Sequence, residues 1–159
     1  MKRIIVKAEA CDGCGICQLV CSAHKAGQWH PAFSRIKIKR HEEFGLNVPV
    51  VCMHCTNAPC ETFCVMNLIY KEHDSNLTLR HEDRCIGCRA CEIACPFSVA
   101  VLDPISETVV NCDLCGGDPQ CVNLCPNGAL SFIDISEAID SKRRQTAGSQ
   151  ILEAARGLL

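Results

Sequence analysis

Residues 85–96 read CIGCRACEIACP, in which four cysteines follow one another with gaps of two, two and three residues. The same C-x2-C-x2-C-x3-C spacing recurs in residues 11–21, CDGCGICQLVC. Two further groups, in residues 52–64 and 112–125, lengthen only the middle gap, to four and five residues, and keep the final C-x3-C step. The chain is therefore an internal repeat built on four groups of four cysteines, which we number one to four in chain order.

Cysteine dominates the composition, since 16 of the 159 residues are Cys. The hydrophobic share of 48% includes them, so the other apolar residues make up only about 38% of the chain, below the usual share of a globular protein. A chain with so few bulky side chains needs another source of cohesion, and the cysteines are the candidate for it.

Cysteine at this density serves as a disulfide framework, as zinc ligands or as ligands of iron–sulfur clusters. Disulfides are typical of secreted chains, but residues 1–10, MKRIIVKAEA, contain an apolar run of only three residues, too short for a signal peptide. No apolar run approaches the ~20 residues of a membrane span. We therefore expect a cytoplasmic protein with reduced thiols and no transmembrane segment.

The spacing of the cysteines separates the two metal interpretations. Three thiolates in a short loop can surround three corners of a cubane cluster, and a fourth, one helical turn further on, points away and reaches a second cluster. Zinc sites instead combine two pairs of ligands separated by a longer loop. The pattern predicts iron–sulfur clusters, and a zinc-binding interaction module is the remote alternative. Glycines with positive φ are expected where the backbone approaches sulfur, at Gly13, Gly15, Gly87, Gly116 and Gly117.

Short β-rich runs separated by turn residues follow the second and third cysteine groups and predict two hairpins. A run with alternating polar and apolar residues after the first group is typical of a half-exposed strand. One further strand near the start is a candidate partner for a strand near the end. The predicted strands are residues 68–71 with 77–80, residues 99–102 with 108–110, residues 35–39, and residues 3–7 with 131–133.

Residues 134–159 contain no cysteine and are expected to form a helical arm. Asp134 and Glu137 resemble a capping box at its start, and residues 147–149, Ala-Gly-Ser, predict a break before a second segment. Apolar residues at helical spacing give that second segment one apolar face, which either folds back on the body or docks to a partner subunit or a neighbouring copy. The residues of this face are Ile151, Leu152, Ala155, Leu158 and Leu159.

With four such groups in this order, the chain resembles the four-cluster, ferredoxin-like electron-transfer subunits of molybdenum and tungsten oxidoreductases, such as dimethyl sulfoxide reductase, formate dehydrogenase and aldehyde oxidoreductase. Similar small subunits serve carbon monoxide dehydrogenase and hydrogenases. The resemblance implies an α+β fold of two bacterial-ferredoxin-like modules, one inserted in the other, with two [4Fe-4S] clusters in each. The outer module would take residues 1–48 and 105–133, the inserted module residues 49–104, and the helical arm for docking residues 134–159.

The resemblance also implies which cysteines share a cluster, because in this family group one pairs with group four and group two with group three. Ser22 and Val65 stand in place of the proline that often follows the fourth cysteine, and group four has only five residues between its second and third cysteines, where many relatives have a longer insertion. Together with the lack of the C-terminal membrane helix that many membrane-bound relatives carry, these departures favour a compact, soluble member. The implied ligands are Cys11, Cys14, Cys17 and Cys125 for cluster 1, Cys112, Cys115, Cys121 and Cys21 for cluster 2, Cys52, Cys55, Cys60 and Cys95 for cluster 3, and Cys85, Cys88, Cys91 and Cys64 for cluster 4.

No motif for bond-making chemistry accompanies the cysteines, and a net charge of −2 gives no basic excess for binding nucleic acid. Complete cysteine ligation leaves no open iron for a substrate, so we expect electron transfer and no catalysis by the chain on its own. The expected partner is a catalytic subunit, by resemblance a tungsten or molybdenum aldehyde oxidoreductase, with a flavin- or NAD-linked subunit and further copies of the chain as additional candidates. The alternative is a free polyferredoxin that shuttles electrons to carbon monoxide dehydrogenase- or hydrogenase-type enzymes.

Two single residues leave alternatives open. His54 lies inside a ligand group, where it could donate to a cluster sulfur, line an electron exit or simply pack in the loop. Trp29 is expected to pack in the core or at an edge, with a partner contact as the alternative. The other histidines are expected to be exposed, namely His24, His30, His41, His73 and His81.

Overall fold

The computed structural model describes residues 1–156, and the side chains of residues 1–149. In this part of the chain the backbone forms four antiparallel two-stranded ribbons and five α-helices, three of which are single turns. The strands are β1 (Lys2–Val6), β2 (Lys37–His41), β3 (Leu46–Val50), β4 (Ile69–Lys71), β5 (Thr78–Arg80), β6 (Val101–Leu102), β7 (Val109–Val110) and β8 (Leu130–Asp134). The helices are α1 (Ile16–Ala26), α2 (Pro59–Thr62), α3 (Ala90–Ala94), α4 (Gln120–Asn123) and α5 (Ile135–Arg156).

The pairing of the strands confirms the ribbons expected from the sequence. β4 pairs with β5 and β6 with β7, as local hairpins, while β1 pairs with the distant β8, where Ile4 lies opposite Phe132. β2 pairs with β3, which the sequence does not single out as its partner because Pro49 lies in it. Proline is tolerated there because each strand of a two-stranded ribbon has one unpaired edge.

The buried residues form two groups, and cysteines are prominent in both. The larger group surrounds Ile36, which is 1% exposed, and includes Leu114 and Leu130. The smaller group surrounds Val109, also 1% exposed, and draws its members from residues 60–109. The structure is thus a small mixture of helix and sheet in which thiols take much of the space that aliphatic side chains usually fill.

A proline after the last cysteine accompanies the short helices α3 and α4 but not α2, which ends at Thr62 although Val65 follows its last cysteine. α3 and α4 end before a Cys-Pro pair, at Pro96 and Pro126, and the residue before proline is disfavoured in a helix. In group one the corresponding residue is Ser22, which is fully buried and donates from Oγ to the carbonyl oxygen of Leu19. Without a proline the helix continues to Ala26.

The C-terminal helix differs from the expectation in one respect. α5 is continuous through residues 147–149, so the predicted break at Gly148 is wrong; a single glycine costs a helix only about 1 kcal/mol. Asp134 caps its start, as expected, but its Oδ1 accepts from Ser136 rather than from Glu137.

Residues 139–147 of α5 are exposed, so this stretch projects from the body. The predicted apolar face at residues 151–159 lies outside the residues whose side chains are described. Over residues 1–156, no helix has the length and apolar character to cross a bilayer.

Candidate metal centres

Each cysteine group divides its members between two places in the structure. On α1, Cys17 and Cys21 are one turn apart and both are buried, yet each lines a different cavity. Cys121 on α4 and Cys125 just beyond it are divided between the same two cavities in the opposite sense. Since α1 and α4 contact each other, the pair of helices connects the two cavities. This is the arrangement that the C-x3-C step predicts.

Three small cavities of similar size are each lined by four cysteines drawn from two groups. The foursomes are those expected for clusters 4, 2 and 1. In the same order, the cavities are lined by Cys64, Cys85, Cys88 and Cys91, by Cys21, Cys112, Cys115 and Cys121, and by Cys11, Cys14, Cys17 and Cys125.

The remaining cysteines, Cys52, Cys55, Cys60 and Cys95, are also neighbours. Burial is the main cause of the raised pKa of Cys52, and Cys55 and Cys95 raise it further. Burial likewise raises the pKa of Cys60, with smaller contributions from Cys52 and Cys95. The structure therefore brings all 16 cysteines into four neighbourhoods of four.

The shape of these neighbourhoods fits a cluster better than a single ion. All 16 cysteines are free thiols. In the described residues, no three or more His, Cys, Asp or Glu side chains are arranged so that they could hold one metal ion. Three of the four sets of thiols line a cavity, as expected for four thiolates around a multi-iron cube.

Burial also keeps the metal-free thiols neutral. It raises the pKa of Cys17 to about 11 and that of Cys121 to about 12, with neighbouring thiols adding to the increase. The pKa of Cys112 is raised further still, again mainly by burial. Because a metal binds thiolate, loading these sites would release protons to solvent.

Several donors from the ribbons and loops approach the cysteine sulfurs. Four are backbone N–H groups and two are side chains, those of Arg80 and Asn111. Donors of this kind stabilise thiolate and raise the reduction potential of a bound cluster. The donor-to-Sγ distances are 3.3 Å from Arg35 N to Cys21, 3.4 Å from Leu68 N to Cys64, 3.4 Å from Val109 N to Cys85, 3.4 Å from Leu114 N to Cys112, 3.6 Å from Arg80 Nη1 to Cys91 and 3.8 Å from Asn111 Nδ2 to Cys52.

The backbone of the ligand loops follows the expected conformation. All five glycines expected to have a positive φ do so. The residue after the second cysteine is Gly15 in group one, with φ +82°, and Arg89 in group three, with φ +61°. The loop therefore requires the left-handed conformation there even without glycine. Arg89 lies at the surface, where its Nε is 2.7 Å from an oxygen of Glu92.

His54 is buried, with 3% of its surface exposed, and joins a ligand loop to β5. Its Nδ1 accepts from the backbone N–H of Thr78 at 3.1 Å. Burial lowers its pKa to about 4, and the charges of Arg3 and Lys71 lower it further, so the ring is neutral with its proton on Nε2. The Nδ1 contact fits a packing role, and the buried Nε2, which has no hydrogen-bond partner among the described residues, keeps donation to a cluster sulfur as the alternative.

Trp29 is 72% exposed, in the turn that follows α1, so the expectation of core or edge packing is wrong. The turn contains Gly27, which ends α1 in the left-handed conformation. The five remaining histidines are exposed, as expected.

Comparison with known proteins extends this picture beyond the geometry. The 4Fe-4S dicluster domain matches residues 44–135. The chain is 38% identical over 145 residues to an uncharacterised ferredoxin of Methanocaldococcus jannaschii, covering 90% of this chain and 79% of that protein. It is 37% identical over 123 residues to the polyferredoxin-like subunit of aliphatic sulfonate oxidoreductase of Pyrococcus furiosus, covering 77% and 70%.

Two further similarities point the same way. The thiosulfate reductase electron transfer subunit of Salmonella typhi is 33% identical over 145 residues, covering 82% of this chain and 74% of that protein. Among solved structures, a chain of the active site complex BamBC of benzoyl coenzyme A reductase with 1,5-dienoyl-CoA superimposes with a TM-score of 0.50 at 27% identity, covering 84% of this chain and 75% of that chain. The chain therefore belongs to the 4Fe-4S dicluster ferredoxin family and is an iron–sulfur, electron-transport type of protein similar to subunits of oxidoreductases.

Proposed function

We propose that the chain holds four [4Fe-4S] clusters and passes electrons between a catalytic oxidoreductase subunit and a second redox partner. The observation that supports this most directly is the division of 16 free thiols into four neighbourhoods, three of them around cavities of similar size. Each set of four named for clusters 1 to 4 would supply the thiolates of one cluster. With every iron bound by cysteine, the chain offers no site for a substrate and does not catalyse a reaction alone.

The four sites would lie in two modules. Residues 1–48 and 105–133 would form the outer module, to which the ribbon β1–β8 brings its first and last strands. Residues 49–104 would form the inserted module around the smaller buried group. The hairpin β6–β7 crosses the second of these limits, so the modules would share that ribbon.

A bound cluster accepts and releases one electron at a time. The chain positions the ligands so that successive sites share a helix. α1 places Cys17 and Cys21 beside two different cavities, and Cys121 on α4 and Cys125 just beyond it lie beside the same two. The C-x3-C steps of groups two and three would connect the inner sites in the same way. Burial of Cys17 and Cys91 keeps water from the sulfurs, and the N–H donors stabilise their negative charge.

A subunit role is supported by the relatives. Those with named functions belong to a sulfonate oxidoreductase and a thiosulfate reductase, and the similar solved chain belongs to a benzoyl coenzyme A reductase complex. By the resemblance to dimethyl sulfoxide reductase-type subunits, the finer proposal is a tungsten or molybdenum aldehyde oxidoreductase as the catalytic partner. The projecting stretch of α5, residues 139–147, is the segment we propose for docking.

The test is anaerobic purification of the full chain followed by iron, sulfide and zinc analysis. Four clusters predict about 16 irons and as many sulfides per chain, whereas zinc as the main metal contradicts the proposal. Purification through a tag from the native cell then separates a subunit from a free shuttle. A large catalytic subunit recovered in equal amount supports the subunit role, and recovery of the chain alone supports the polyferredoxin.

A further inference from the structure

Arg80 ends β5 and is the one cation whose side chain reaches a cysteine sulfur among the described residues. Its Nε donates to Asn111 Oδ1 at 2.6 Å, and its Nη1 donates to the carbonyl oxygen of Val109 at 2.8 Å. The same Nη1 lies 3.6 Å from Cys91 Sγ. Arg80 also lines the cavity that Cys64, Cys85, Cys88 and Cys91 surround.

The guanidinium is held in place by a buried amide. Asn111 is 6% exposed, and its Nδ2 donates to the carbonyl oxygens of Thr78 at 2.9 Å and Cys112 at 3.0 Å. The amide plane is therefore fixed, and its Oδ1 fixes Nε of Arg80. A charge held so rigidly acts at a constant distance from whatever occupies the cavity.

One donor of Arg80 has no acceptor among the described residues. Nη2 is buried and makes no hydrogen bond in the part of the chain that the structure describes. Nor does any carboxylate in that part lie within ion-pair distance of Arg80. Leaving a buried charged donor unsatisfied costs free energy. A negatively charged group in the cavity that Arg80 lines would satisfy both the hydrogen bond and the charge.

The four sites differ in the side-chain donors and free charge that they receive. Backbone N–H groups approach cysteines of all four sites. In the described residues, the side-chain donors to a cysteine sulfur are Arg80 to Cys91 and Asn111 to Cys52. The two cations that line the cavity of Cys112, Lys25 and Arg35, are paired with Asp113, whereas Arg80 has no carboxylate partner there. Hydrogen bonds and positive charge favour the reduced, more negative state of a cluster.

We propose that Arg80 donates to sulfurs of the cluster held by Cys64, Cys85, Cys88 and Cys91, and that it makes this cluster the one with the highest reduction potential of the four. The inference rests on the proposed function, because it needs a cluster in that cavity. An electron entering the chain would then reside mainly in the inserted module, next to Cys88, which is exposed. Arg80 would influence which cluster is reduced without being a ligand of its iron.

The test is a mediated redox titration of the anaerobically purified full chain, with the reduced clusters followed by electron paramagnetic resonance. In Arg80→Gln the charge is lost, and we expect the reduction equilibrium constant of the highest-potential cluster to fall at least tenfold, which is about 59 mV for a one-electron couple. The charge of Arg80 also lowers the pKa of Cys60, so we expect the reduction equilibrium constant of the cluster at Cys60 to fall by less than that of the highest-potential cluster and the constants of the other two clusters to change least. Iron and sulfide should stay at the wild-type level.

Arg89→Gln is the matched control, because Arg89 lines the same cavity but is exposed and paired with Glu92. It should change the highest-potential couple less than threefold. A change under threefold in Arg80→Gln with full iron, or an equal change in Arg89→Gln, overturns the role of Arg80. If Arg80→Gln loses iron, Arg80→Lys provides the test. Lysine keeps the positive charge but lacks the forked guanidinium donors, so we expect the reduction equilibrium constant of the highest-potential cluster to fall at least threefold. An unchanged constant overturns the inference. Wild-type protein without iron would instead overturn the proposed function.

Discussion

The Cα atom of Gly87 lies against the backbone carbonyl of Glu107, so close that a Cβ at Gly87 would overlap the carbonyl oxygen. Gly87 lies in the ligand loop between Cys85 and Cys88, and Glu107 lies in the turn between β6 and β7. Val109, two residues after Glu107, donates its N–H to Cys85 Sγ. The contact thus holds a ligand loop against the hairpin that supplies its hydrogen bond.

Gly87→Ala should therefore disrupt this loop more than a change in backbone preference alone would. Gly116→Ala is the matched control: Gly116 also lies in a ligand loop with positive φ, but a Cβ there meets nothing within 4 Å. We expect Gly116→Ala to cost about 1–2 kcal/mol through its φ and Gly87→Ala to cost about 2–4 kcal/mol, since the carbonyl must also move. Thermal unfolding of the iron-loaded variants at one scan rate compares them, and equal losses would contradict the clash.

His54 should matter for stability because its Nδ1 is the acceptor for the buried N–H of Thr78. Thr78 is 1% exposed, so water cannot replace the ring. His54→Phe keeps an aromatic ring but removes the acceptor, and we expect a loss of about 1–3 kcal/mol in the free energy of unfolding. His24→Phe, at an exposed position of α1, should change it by less than about 0.5 kcal/mol. A stable His54→Phe protein with full iron content would show that the hydrogen bond is unimportant.

The local features of this protein are predictable from the sequence because they depend on neighbouring residues. Turn residues between short apolar runs mark the hairpins β4–β5 and β6–β7, and cysteine spacing marks the ligand loops. Glycines between the ligands mark the positive φ values. The pairing of β1 with β8 is also foreseeable, since both ends of the repeat have a β-rich run.

Structural features that depend on contacts between residues far apart in the sequence leave no local sequence pattern from which they could be predicted. Arg80 and Asn111 are 31 residues apart and meet only in the folded chain. Nothing in their local sequence distinguishes Arg80 from the exposed Arg89. The exposure of Trp29 is equally hidden, because burial of a single aromatic residue depends on what packs over it. The continuity of α5 through Gly148 reflects how weakly one glycine opposes a long helix.

The projecting part of α5 should contribute to assembly and not to cluster binding. Within the described residues, the helix contacts the body through β1 and β8 near its start, and residues 139–147 are exposed. We expect a chain truncated after Asp140 to keep its iron content and its unfolding temperature while losing association with its partner or with further copies. Light scattering and co-purification measure the association. Loss of iron on truncation would contradict the division between body and arm, and unchanged association would contradict docking through the arm.

Removal of the metal should unfold most of the body. The two buried groups are small, and five of their 14 buried members are cysteines. Without clusters the neighbourhoods of four thiols become cavities, and each cavity removes packing contacts from its lining. The free energy of metal binding therefore contributes to the free energy of folding. Removing the iron anaerobically with a chelator should abolish cooperative thermal unfolding, and the amides of β1 and β8 should lose their protection from hydrogen exchange. Protection that persists in iron-free protein would mean that the ribbons and their small aliphatic core are stable by themselves.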